Sequence, residues 1–113
     1  WLHVSDHCLA LYLISKKGTP GEQYNIGGGT EISNIKIVKM ICNHLDKILP
    51  IKNRKYSSFI SFVKDRLGHD FRYSVNFKKL KADLNWKPKV KFSHGLNDTI
   101  EWYVKELKKK TKK

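Results

Sequence analysis

Apolar positions recur at helical spacing in four stretches of the chain. Leu9, Leu13 and Tyr12 mark one face of a helix expected over about 7–16, capped by Ser5 or Asp6, with Lys16 and Lys17 at its negative end and Gly18 beyond it. Ile37, Val38, Ile41, Leu45 and Ile48 trace a second helix that Ser33 or Asn34 can cap and Pro50 follows. A short helix after Asn76 carries Leu80 and Leu84 on one side and stops at Trp86-Lys87-Pro88. The last helix starts near Ser93, with Leu96, Ile100, Tyr103 and Leu107 on one face. Between these lie short runs that read as strands. They are 23–26, 59–63, the alternating 71–75 and a brief extended piece at Val90 and Phe92. The pattern predicts an α/β arrangement with little sheet. Parallel strands joined by helices sit in sheets covered on both faces, so this inventory reads as one lobe of something larger.

Length and charge narrow the picture. With 113 residues and 40% hydrophobic positions, one core can form and two independent cores cannot. Cys8 and Cys42 are too few for a disulfide scaffold, which suits a reducing, cytoplasmic setting. No apolar run approaches the roughly 20 residues that span a bilayer, so no membrane role is expected. The chain opens on Trp1 within what reads as a strand running into a helix, and an upstream portion is therefore expected. The net charge of +13 raises a polyanion-binding reading. Arg54, Arg66 and Arg72 are the only arginines among 23 basic residues, however, and base readers favour arginine. No specific nucleic acid is expected. Residues 108–113, five lysines around Thr111, read as a basic, disordered tail to a domain of 1–107.

Two segments hold candidate chemistry. Gly27-Gly28-Gly29 lies between a strand and a helix, where glycine loops bring backbone N–H groups to phosphate. It completes neither G-x-G-x-x-G nor a P-loop, so a tight turn and a ligand contact both stay open. Asn34 just beyond it is either a helix cap or an amide aimed at a ligand. In Asp65-Arg66-Leu67-Gly68-His69-Asp70, Gly68 permits a sharp turn on which Arg66 and His69 can converge on one anion. Asp65 and Asp70 either orient those side chains or simply pair with them in a charged turn. No catalytic triad and no metal-ligand cluster is visible in the sequence.

Several stretches carry a family likeness. Trp1-Leu2-His3-Val4-Ser5-Asp6-His7 resembles W-L-Y-V-x-D-H, and residues 21–28 resemble G-E-x-Y-N-I-G-G. Residues 65–73 are similar to D-R-P-G-H-D-x-R-Y, while 84–88 and 99–103 resemble L-G-W-x-P and T-x-x-W-Y endings. Together, in order and over nearly the whole chain, they resemble the C-terminal part of the dTDP-glucose 4,6-dehydratases, extended short-chain dehydrogenases/reductases of the nucleotide-sugar epimerase and dehydratase group. Leu67 stands where the family has proline, and Gly29-Thr30 departs from the residues that follow its glycine pair.

The resemblance implies the substrate-binding lobe of an extended Rossmann-type enzyme. Such enzymes use a tightly held NAD to oxidise dTDP-glucose at C4, eliminate water across C5 and C6, and return the hydride to C6. The product, dTDP-4-dehydro-6-deoxy-glucose, leads to rhamnose and related surface sugars. On the matching positions, Asn34, Arg66 and His69 would contact the nucleotide diphosphate. The NAD fingerprint, the tyrosine–lysine pair and the acidic dehydration residues lie upstream in the family. No catalytic, cofactor-binding or metal residue is therefore assigned here, and the chain alone is expected to be inactive and to bind no NAD. Implied partners are dTDP-glucose, the N-terminal nucleotide-binding half and, in the complete enzyme, a second subunit of a homodimer. The alternatives are a basic polyanion-binding module, or a piece of another nucleotide-sugar epimerase or decarboxylase.

Overall fold

The computed structural model describes residues 1–111, which form two compact units. The elements are α1 (Val4–Lys17), α2 (Asn34–Ile48), a 3-10 turn (Tyr56–Phe59), α3 (Lys78–Leu84) and α4 (Phe92–Lys110). The first unit comprises Trp1–Glu31 and Phe71–Phe92. The second comprises Ile32–Asp70 and the described residues from Ser93 on.

The first unit is built around Ala10, Leu80 and Trp86, all buried. Leu9, Leu13 and Ile14 on the inner face of α1 pack there with Tyr24, Ile26, Phe77 and Leu84. The Phe77 and Trp86 rings meet edge to face at 5.6 Å, the geometry that the ring quadrupoles favour. Asp6, 3% exposed, closes this core. Its Oδ2 accepts the backbone N–H of Lys89 at 3.0 Å and of Val90 at 2.9 Å. A carboxylate can be buried at tolerable cost only when such donors replace its water. This use of Asp6 corrects the expected cap. Helix α1 begins at Val4, and His3 Nδ1 accepts the Ser5 N–H at 3.3 Å. Asn76 stands two residues ahead of α3. Its side chain accepts the Lys78 N–H at 2.9 Å ahead of α3, which ends on Asn85 in the left-handed conformation.

In the second unit, Ile37 and Cys42 are the buried positions of α2, with Gly95 and Ile100 those of α4. His44 Nε2 lies 3.1 Å from Glu101 Oε1 and ties the two helices. The 3-10 turn is anchored to the end of α2 through its first residue, Tyr56. Asp46 Oδ1 accepts the Tyr56 N–H at 2.9 Å, and the Tyr56 hydroxyl donates to the Leu49 carbonyl at 2.9 Å. Arg54 stacks on the Phe59 ring at 4.0 Å while its Nε donates to Ser58 Oγ at 3.0 Å.

The expected short strands do not appear. Among the described residues there is no strand, only one isolated antiparallel bridge between Ile51 and Arg54. Runs 23–26 and 71–75 have no regular ladder, and 59–63 follows directly from the 3-10 turn that takes in Phe59. Alternation reports which faces a run would present. A strand also needs a neighbour for its N–H and C=O groups, and these units supply none. The segment set apart as a tail divides as well: Lys108–Lys110 complete α4, and positions 112 and 113 lie outside the described residues.

Candidate functional site

The turn at 65–70 is organised by one carboxylate. Asp65 Oδ1 accepts the Arg66 backbone N–H at 2.8 Å and meets His69 Nδ1 at 2.7 Å. A carboxylate oxygen only accepts, so Nδ1 carries the hydrogen. Gly68, at φ 69°, supplies the left-handed step that folds His69 back onto Asp65. The His69 bond, followed by the Arg66 N–H, holds the Asp65 carboxyl below the usual aspartate range. Of the two acidic residues that could orient the turn, Asp65 does so. Arg66 is exposed, and Leu67, in the family's proline position, is almost fully so.

Arg66 and His69 are thus brought onto one tight turn. Asn34 is the first residue of α2 in the same unit, exposed, with Ser33 as the preceding cap residue. No hydrogen bond among the described residues joins Asn34 to the turn. Ser33 holds the cap position and no side chain bonds the first turn, so Asn34 does not cap α2.

The glycine loop, in the first unit, answers a different need. A Cβ on Gly28 would overlap the Trp1 carbonyl, and one on Gly27 would stand 2.6 Å from the Val75 carbonyl. The missing side chains let the chain's own backbone approach. With the G-x-G-x-x-G spacing incomplete and with these faces filled from within, the loop does not fit a dinucleotide cradle. Beside it lies a hollow of about 200 Å³, lined by the loop together with Trp1, Glu31, Tyr73 and Ser74.

One arrangement was missed in the sequence. Glu31, just past the glycines, receives Arg72 Nη2 at 2.6 Å on Oε2 and 2.8 Å on Oε1, and the Ser74 hydroxyl at 2.7 Å. Arg72, then Ser74, hold the Glu31 carboxyl below its usual range, and Glu31 raises Arg72 in turn. Only half of the signal was available. Period-two alternation in 71–75 puts Arg72 and Ser74 on one side, ready for a single acceptor. Among the described residues, no group of three or more His, Cys, Asp or Glu could hold a metal ion.

A comparison with protein families decides the kinship. The family model described as GDP-mannose 4,6 dehydratase matches residues 1–99. The chain belongs to this dehydratase family. Among curated members, the dTDP-glucose 4,6-dehydratase of Haemophilus influenzae is 46% identical over 107 residues, 92% of this chain and 32% of that protein. The dTDP-glucose 4,6-dehydratase 1 of Escherichia coli K12 is 45% identical over 108 residues, 96% of this chain and 30% of that protein. Solved dehydratases superpose well. The Bacillus anthracis enzyme, in complex with NAD, gives a TM-score of 0.79 at 41% identity. The Streptomyces venezuelae enzyme, with NAD and TYD bound, gives 0.81 at 35% identity. Each match covers 93% of this chain and 30% of the solved one. The chain therefore spans about a third of the length of the dehydratases it matches, and over that third it superposes on them. No helix among its described residues is long and apolar enough to cross a membrane.

Proposed function

We propose that this chain is the substrate-binding, C-terminal part of a dTDP-glucose 4,6-dehydratase, and that Asn34, Arg66 and His69 hold the nucleotide diphosphate. The observation that carries the reading is the Asp65-centred turn. It sets a guanidinium and an imidazole three residues apart, inside a segment similar to the family's D-R-P-G-H-D-x-R-Y. The Arg66 guanidinium and the His69 imidazole would hold the linked phosphates and keep the hexose in register for chemistry performed elsewhere. In the complete enzyme that chemistry is C4 oxidation by NAD, loss of water across C5 and C6, and return of hydride to C6, in a cytoplasmic homodimer. Residues 1–107 form the binding portion and the terminal lysines a solvated extension.

The reading is tested by heating the chain with dTDP, UDP and GDP. Binding to the native state alone raises the melting temperature. We expect dTDP to raise it most, and Arg66→Ala and His69→Ala to abolish the rise while leaving the unliganded melt unchanged. No dTDP effect on a folded wild-type chain rejects the site. An equal response to all three diphosphates moves it to another nucleotide-sugar enzyme, and steep salt-dependent binding of any polyanion supports the basic-module alternative. With NAD and dTDP-glucose supplied, the chain alone is expected to make no 4-keto sugar, because it holds no proton-transfer apparatus.

A further inference from the structure

Helix α4 outlasts the core it packs on. Its buried positions are Gly95 and Ile100, and among the described residues of the helix none after Ile100 is buried. Three large apolar side chains nevertheless stand on this second half. Trp102 is 56% exposed, Tyr103 59% and Leu107 61%. The two rings meet edge to face at 4.9 Å, and Leu107 lies one turn beyond Tyr103 on the same side. Around them Lys105, Lys108, Lys109 and Lys110 are all exposed, and Lys112 and Lys113 follow in the sequence. From Glu101 on, six lysines stand against two glutamates. Both carboxylates are engaged within the chain, Glu106 by Lys109 at 2.6 Å and Glu101 by His44 at 3.1 Å. Asp98, one turn before Trp102, bounds the patch.

We propose that this end of α4 is a contact site for an anionic lipid surface, an inference independent of the nucleotide site above. Charge complementarity selects a polyanionic partner, and the apolar side chains select lipid. Lysines draw a helix to anionic headgroups, each worth about fivefold in partition near the surface. Their methylene stems lie along apolar neighbours while the ammonium stays in water. Tryptophan and tyrosine suit the depth at which an apolar ring meets a wet layer, and Leu107 adds an aliphatic side chain to insert. A nucleic acid is the weaker fit. Base stacking needs open ring faces, and here one ring's edge stands on the other's face. Arginine, the residue of base and phosphate readers, is absent from α4. A second copy would bring like charges together, since each chain carries +13. A surface contact needs no spanning helix, and the described residues hold none.

The test is sedimentation of the chain with vesicles of phosphatidylcholine, alone or with about a third phosphatidylserine. We expect binding to the mixed vesicles to be about tenfold stronger than to the neutral ones, or more, and to weaken as salt rises. Trp102→Ala with Leu107→Ala should lower it severalfold and leave the melt and the salt dependence unchanged, because these side chains are exposed and uncharged. Lys105→Gln, Lys108→Gln and Lys110→Gln together should lower it further and flatten the salt dependence. Bromine on the acyl chains should quench indole emission from the wild type and not from Trp102→Ala. No binding to the mixed vesicles, equal binding to both kinds, or binding indifferent to the Trp102 and Leu107 substitutions overturns the proposal. So does tighter binding of a single-stranded oligonucleotide at the same salt, which would make the patch a nucleic-acid contact. Arg66→Ala and saturating dTDP leave vesicle binding unchanged, so a failed dTDP titration and a failed lipid contact are told apart.

Discussion

Helices α1 and α2 are nearly equal in length, 14 and 15 residues, yet divide their surfaces in opposite ways. On α2 the buried positions are Ile37 and Cys42, and the exposed ones include Lys36, Lys39, Asn43 and Lys47. That is the one-sided helix of a protein surface. On α1 the core side is better filled, and the outer side carries Val4, Leu11 and Tyr12 where α2 has lysines. Local propensity does not separate the two. The difference lies in the chemistry of the outer faces, lysine-rich on α2 and without lysine before the last turn on α1.

The largest effect should come from the inner anchor of α1. Asp6→Ala removes the acceptor of two backbone N–H groups in a buried place, and should cost about 3 kcal/mol in a urea melt. A loss below about 1 kcal/mol would show that water takes over the carboxylate's part. Leu80→Ala, at a fully buried position under α1, should cost about 2–4 kcal/mol. On α2, Cys42→Ser places a hydroxyl among apolar neighbours and should cost about 1–2 kcal/mol. The outer faces should register little in the isolated chain. Leu11→Asp and Lys39→Ala should each stay within about 0.5 kcal/mol, and only the α1 change should alter dye binding. A large loss from Leu11→Asp would mean that this face is already covered within the chain.

The smallest expected effect is a pH dependence. Arg72 and Ser74 depress Glu31, so the clasp's contribution is fully present above the ordinary glutamate range and is lost as pH falls through the depressed value. Melting temperature should therefore decline from about pH 5 downward, and Glu31→Gln should flatten part of that decline. Because the pair is exposed, screening keeps the contribution small, and added salt should shrink it further. An identical acid profile in the variant would remove the clasp from the account.

Helices were legible in the sequence because each owns an apolar stripe. Ile37, Ile41 and Leu45 located α2, and Leu96 and Ile100 located α4. Starts were harder to place. Asp6 has the ideal cap chemistry for α1, but its bonds reach Lys89 and Val90, more than 80 residues away. Strands were overestimated for a related reason, since alternation in 71–75 says nothing of a partner for its backbone. At the site, Gly68 between Arg66 and His69 was enough to foresee the turn. Choosing Asp65 over Asp70 required coordinates, and the Glu31–Arg72–Ser74 clasp joins segments more than 40 residues apart that no local pattern connects.

The central claim is that the turn around Asp65 grips a nucleotide diphosphate. Its most direct test is a nuclear magnetic resonance titration of the labelled chain with dTDP. The account predicts saturable shifts concentrated at Arg66, Gly68 and His69, with Asn34 moving on the same binding curve. Shifts spread over the lysines and abolished by modest salt, or none at the turn while another region saturates, would contradict it.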